Sequence, residues 1–271
     1  MGLSSRPRRP LAERMFEKLT DAIAEQKSRS RQRRPRRTAD GARRLNGLPA
    51  RDLMYCFESL GDNCEFGLVQ RRCGAEPLGL FRFATIEAEG LAGALEAGLG
   101  DILDPATLEA QLSGGRHVAH SRAYGATFGH SGLYEGDLPP ERALVLIRQR
   151  LQFLARKLRE ILGEGEKILV YRSRSTDDVA MALRVGEALR RFGPNMLLWV
   201  EGTERSQTAG SVEWIAEGVL RGYIEADSDW DAIRFDTWMR LCEQVHALWR
   251  PAVAQQADRS SLRPLAKVPG R

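Results

Sequence analysis

Among the side chains of this sequence, Cys64 combines a nucleophilic type with a setting that would activate it. It follows the apolar run Asp52–Glu58 and the turn-forming cluster Ser59-Leu60-Gly61-Asp62-Asn63. It opens a segment to Arg72 with helical spacing at Phe66, Val69 and Cys73. A thiol at a helix start meets unpaired backbone N–H groups and the positive end of the dipole, which lower its pKa, and the thiolate is the reactive form. The same N–H groups, with the Asn63 amide, would hold a developing oxyanion during acyl transfer.

A cysteine nucleophile needs a base, and the chain has four histidines, His117, His120, His130 and His246. His130 ranks first, because Gly129-His130-Ser131-Gly132 is a loop that can present a side chain to a cleft. His246 falls on a C-terminal helix beside Arg250, where a surface or core role is simplest. His117 and His120 flank a strand, and an i,i+3 pair on a strand points to opposite faces, which argues against a shared metal. To orient the imidazole, Asp177 or Asp178 stands at the end of the Lys167–Ser173 strand; both are equally well explained as helix N-caps. Cys56, Cys73 and Cys242 read as small buried hydrophobes. With no C-x-x-C, neither a disulfide framework nor a zinc site is expected, and no metal or cofactor is called for.

These side chains need a scaffold, and short apolar runs alternating with helical segments from Leu48 onward predict α/β architecture. The expectation is a single three-layer domain over residues 48–250 with a largely parallel central sheet. Strands are expected at Asp52–Glu58, Leu78–Ala84, Lys167–Ser173, Asn195–Glu201 and Val219–Ile224. Helices are expected near Ile86–Ala97, from Pro139-Pro140 to Gly163 and from Ser175 to Arg191. A closing helix spans Trp230–Arg250, stopped by Pro251. The glycine-rich stretch 113–136 should hold a hairpin or irregular loops.

The chain has 271 residues, 42% hydrophobic and 28% charged, enough for one good core. Its formal charge of +5 is unevenly placed: residues 1–47 hold 14 Lys/Arg against 5 Asp/Glu, leaving 27 against 31 for the remainder. The basic extension carries an amphipathic stripe at Leu11, Met15, Leu19 and Ile23, then Arg29, Arg31, Arg33, Arg34, Arg36 and Arg37 around Pro35. It is expected to be mostly disordered, either a solubilising tail or a contact for nucleic acid or anionic membrane. Residues 251–271 are expected to be a disordered tail. No apolar run is long enough to span a bilayer and no secretory signal is evident, so a cytoplasmic bacterial protein is expected.

The run Ser59-Leu60-Gly61-Asp62-Asn63-Cys64-Glu65-Phe66-Gly67, followed by Leu80-Phe81-Arg82-Phe83-Ala84, resembles the S-L-G-x-x-C opening and aromatic second block of a bacterial family of proposed papain-like cysteine peptidases, a family of largely unknown function. The resemblance covers roughly residues 52–225 in order, with the first block as its specific part. It implies Cys64 as nucleophile and a later loop histidine, His130, as its partner. Two positions depart from the family pattern: Arg82 stands at a commonly acidic position, and Ser131 follows the histidine where aspartate is common. Both remove a carboxylate from the site, while the planar guanidinium of Arg82 would suit an anionic group. One expectation is therefore a thiol-dependent hydrolase or acyl transferase acting on a small molecule or peptide. Another is a non-catalytic module in which Gly61, Asn63, Cys64 and Arg82 hold an anionic or sugar-derived ligand. P-loop, Rossmann-fingerprint, H-E-x-x-H and G-x-S-x-G signatures are missing.

Overall fold

A strand that is apolar on both faces must be covered on both sides, and the runs Ile168–Tyr171 and Met196–Val200 have that character. In the computed structural model, which describes residues 44–45, 47–129, 132–174, 178–205, 207–226 and 233–261, those runs are the middle of a layered α/β domain. In chain order the elements are β1 (Arg44–Leu45), β2 (Leu48–Pro49), α1 (Ala50–Met54), β3 (Phe57–Ser59), α2 (Glu65–Arg72), β4 (Ala84–Thr85) and α3 (Ala88–Glu96). Next come β5 (Leu108–Ser113), β6 (Arg116–Ser121), β7 (Ala126–Phe128), α4 (Pro140–Glu164), β8 (Ile168–Arg172), α5 (Val179–Arg190), β9 (Met196–Thr203), β10 (Val212–Ala216), β11 (Val219–Glu225) and α6 (Phe235–Ser261).

The central sheet has the order β10-β11-β9-β8-β3. β3, β8, β9 and β11 are parallel, and β10 closes one edge as an antiparallel hairpin partner of β11. Side chains alternate between two cores. Leu169, Tyr171, Leu197 and Trp199 join the core shared with α3, α4 and α5. Ile168, Val170, Leu198 and Val200 join the core shared with α1, α2 and α6. Tyr171 stacks on Trp199 with ring centroids 4.7 Å apart, and its hydroxyl donates to the Ile86 carbonyl at 3.1 Å.

The glycine-rich region forms a second, antiparallel sheet of order β4-β7-β6-β5. Its buried residues Ala119 and Phe128 join Ala143, Ile147 and Leu151 of α4 in the first core. α4 begins with Pro140 in its first turn and ends at Gly165, whose φ of 65° makes the left-handed C-cap.

Three expectations are corrected. The run Asp52–Glu58 is not one strand: Asp52, Leu53 and Met54 belong to α1, and only Phe57–Ser59 pairs with β8. The run Leu78–Ala84 is a series of turns that buries Leu80 and Phe81, with a two-residue strand only at Ala84–Thr85. The last helix does not stop at Pro251 but continues to Ser261, although proline gives that turn no N–H to donate. His130 and Asp177 lie outside the described residues, as do the stripe Leu11–Ile23, the arginines Arg29 to Arg37 and residues 262–271. Among the described residues no helix is long and apolar enough to cross a membrane.

Candidate functional site at the ends of two parallel strands

Loops at the carboxyl ends of parallel strands are where α/β proteins gather chemistry. Here β3 and β8 are adjacent, and the loop between β3 and α2 carries Gly61, Asp62, Asn63 and Cys64. The Leu60 N–H donates to the Val170 carbonyl at 2.8 Å, which carries the pairing one residue past β3. The chain then turns sharply. Gly61 has φ +99°, and a Cβ there would sit 3.0 Å from Ile86 Cγ2. Asp62 follows with φ 68°, one of two non-glycine residues with positive φ among the described residues. Asn63 Oδ1 accepts the Glu65 N–H at 2.9 Å, an Asx turn just ahead of Cys64, the N-cap of α2.

Gly67 in the first turns of α2 lets the helix lie against the second block, since a Cβ there would come within 2.6 Å of the Arg82 carbonyl. Phe66 and Val69 enter the core and Gln70 is buried below them, donating to the carbonyls of Met54 and Phe57 at 3.3 Å each. Glu65 ties three elements together. Its Oε1 accepts the Trp238 indole N–H of α6 at 2.8 Å, and its Oε2 accepts Nε–H of Arg172, at the end of β8, at 3.3 Å.

Asp62 is the unusual group. It is 2% exposed, and its Oδ2 makes no hydrogen bond, although Nε of Arg174 stands 3.2 Å away as an ion-pair partner. Nη2 of Arg174 donates instead to the Asp62 main-chain carbonyl at 3.3 Å. Burial pushes the Asp62 carboxyl up to about 6, against the opposing pull of Arg174 and Arg172 and with a small push from Glu87. Arg174 itself is on the outside, with 66% of its side chain exposed.

Cys64 lies within this loop, half-buried and in no disulfide, and its pKa is shifted in the direction opposite to the expected activation. Burial raises its pKa, and the nearby Arg71 offsets this only in part. Burial penalises the thiolate, and the Glu65 N–H at the start of α2 is already taken by Asn63. The anion-binding role expected of Arg82 is also corrected. Its guanidinium is buried at 5% exposure. Nη1 donates to Glu76 Oε2 at 2.6 Å and the Pro77 carbonyl at 3.1 Å, and Nη2 to the carbonyls of Gly67 at 3.1 Å and Ala75 at 3.0 Å. Arg82 is a clamp on the far end of α2.

Of the other candidates, His117 and His120 lie on β6 in the second sheet and His246 on α6. Nδ1 of His120 is 2.9 Å from Thr127 Oγ1. Asp178 is the N-cap of α5, accepting the Met181 N–H at 3.1 Å, in line with the capping alternative. Sequence reasoning missed Asp62, Arg172 and Arg174 as site residues. The available signal was an aspartate directly after a glycine between strand and helix, where a residue tolerant of positive φ is needed.

A cavity of about 240 Å³ lies at the opposite, amino-terminal end of β8, bounded by Tyr55, Cys56, Ile161, Glu164, Glu166 and Lys167. The Lys167 ammonium is held by Glu58 Oε2 at 3.0 Å, so its charge is already matched. The strained buried acid, rather than this hollow, marks the chemically distinctive end. No protein-family model, curated protein or solved structure matches this chain.

Proposed function

We propose that the α/β domain binds a small polar ligand at the carboxyl ends of β3 and β8, around Asp62, Arg174 and the Ser59–Cys64 loop. One observation carries this reading: Asp62 is buried, held at positive φ and left with a carboxylate oxygen that no hydrogen bond satisfies. Strain and unmet hydrogen-bonding capacity are costly, and together they cluster at sites that a ligand completes. The test is a thermal-shift panel of sugars, sugar phosphates and small carboxylates on the full chain. At pH 7.5, a compound whose melting-temperature rise differs between the wild type and Asp62→Asn supports the reading. A panel in which every active compound stabilises both proteins equally overturns it.

A second reading keeps the thiol. It is favoured by the position of Cys64 two residues beyond Asp62, and by the resemblance of Ser59–Gly67 to the cysteine-peptidase opening. In it the Cys64 sulfur attacks an acyl carbonyl and the leaving group departs. The thiol proton passes to a base, implied by the resemblance to be His130, and water then hydrolyses the thioester and restores the thiol. The raised pKa of Cys64 opposes this and gives a direct check. Alkylation rates of Cys64, followed by mass spectrometry against pH with Cys56 and Cys73 as internal controls, are expected to rise only above the ordinary thiol range. A Cys64 rate that is already high near neutral pH, and falls in His130→Ala, would restore the thiol enzyme.

A further inference from the structure

The arrangement around Asp62 also specifies what kind of ligand the site takes, an inference that rests on the binding-site reading above. Arg174 is the exposed partner of a buried acid. Its Nε faces Asp62 Oδ2 at 3.2 Å without a hydrogen bond to it. Its other contact among the described residues is to the Asp62 main-chain carbonyl. A guanidinium two-thirds in solvent and loosely held can turn outward toward a planar or tetrahedral anion, for which its fork geometry is suited. Turning away strips Asp62 of its nearest positive charge while the carboxyl stays buried, and an ionised carboxylate in that position is not tolerated without a partner.

We infer that Arg174 is the anion-recruiting residue of the site, taking a carboxylate, sulfate or phosphate group of the ligand, and that Asp62 takes up one proton as Arg174 is handed over. Above about pH 6 the pair before binding is Asp62 carboxylate and Arg174 guanidinium, whereas below it the acid is already neutral and no proton need be taken up. Afterwards it is a neutral Asp62 acid and an Arg174–anion pair, with the proton drawn from solvent.

The groups facing Asp62 from every neighbouring element fit this exchange. Arg172, from β8, is already engaged by Glu65 of α2. Glu87, before α3, disfavours a second negative charge. The Tyr171 hydroxyl is bound to the Ile86 carbonyl, and Asp178 caps α5. Cys64 on the same loop is a thiol held above its ordinary pKa by burial. Arg174 is therefore the cation nearest Asp62 that is not engaged by another carboxylate among these neighbours. Because Asp62 titrates near 6, anion affinity should be highest below that pH and fall as the carboxyl ionises and competes for Arg174.

The experiment uses inorganic sulfate, which does not itself titrate over this range, and isothermal titration of the full chain at pH 5.0 and pH 7.5. Expected for the wild type is binding about tenfold tighter at the lower pH, a coupling of ordinary size for two linked sites. Asp62→Asn should fold, because asparagine tolerates positive φ as well as aspartate does. It should bind sulfate equally at both pH values with the acid-side affinity. Arg174→Gln should lose binding at both. Equal wild-type affinity at the two pH values, or sulfate binding unchanged in Arg174→Gln, the mark of an adventitious ion only, would overturn the inference. The two proposals fail separately. If sulfate fails while a neutral panel compound still stabilises the wild type and not Asp62→Asn, the binding site stands and its anion selectivity falls. If both fail, so does the site.

Discussion

The two ends of α2 are both built around an arginine and an acid, and they are built oppositely. At the carboxyl end, Arg82 is buried and four acceptors take its Nη groups, three of them backbone carbonyls. Its acid, Glu76, is half-exposed. At the amino end the acid, Asp62, is buried and strained, and its arginine is the exposed member. The comparison teaches that burial of one partner says little until the acceptors are counted. The first arrangement satisfies both Nη groups and leaves only Nε without an acceptor, and the second leaves a carboxylate oxygen of a strained residue without a hydrogen bond.

The strongest test of that contrast is Arg82→Met. It strips four acceptors of their donor at a buried position and should destabilise the fold by about 3–5 kcal/mol, read by urea denaturation. A loss below about 1 kcal/mol would break the comparison at this end. Gly61→Ala comes next. It forces a side chain into φ +99° against Ile86 and should cost about 1–3 kcal/mol.

Asp62→Asn should act in the other direction and depend on pH. The folded pKa of about 6 lies above the ordinary aspartate value of 3.8. The folded state therefore holds this proton more tightly than the unfolded chain does, and that stabilisation is full below pH 4 and lost as pH rises through 6. Asp62→Asn removes the loss, so it should stabilise the protein by about 2 kcal/mol at pH 7.5 and by almost nothing at pH 4. The smallest effect is expected for Glu76→Gln. Here a half-exposed carboxylate is removed while the three backbone carbonyls still hold Arg82, and the loss should stay under about 1 kcal/mol. If Glu76→Gln matched Arg82→Met, the ion pair rather than the carbonyl clamp would be the holding interaction.

Much of the scaffold was legible because it follows from periodicity. β8 and β9 are apolar on both faces, as a strand between two helical layers must be. α4 shows its buried stripe from Ile147 to Ile161 and its glycine stop. What periodicity cannot show is a run whose burial comes from side chains holding turns together. Leu78–Ala84 looks like a strand, yet Arg82 binds the surrounding carbonyls and packs on the Phe83 ring at 4.7 Å, so the segment folds as turns around its own guanidinium. Cys64 was legible as a position, a loop cysteine at a helix start, but not as a chemical state, because desolvation by residues distant in sequence decides its pKa. For the same reason nothing local distinguished Asp62 from an ordinary turn aspartate.

β3 is the edge strand of the central sheet and pairs with β8 through three residues, Phe57 with Ile168, Glu58 with Leu169 and Ser59 with Val170. Those partners are about 110 residues apart in the chain, and a loop that long must be closed before the first strand has a neighbour. During synthesis the Ser59–Cys64 loop therefore emerges early and stays unsupported until the ribosome has made α4 and β8. A nascent chain released before Ile168 would contain every residue of that loop and still have no site, and supplying the later segment in trans would be the way to rebuild it.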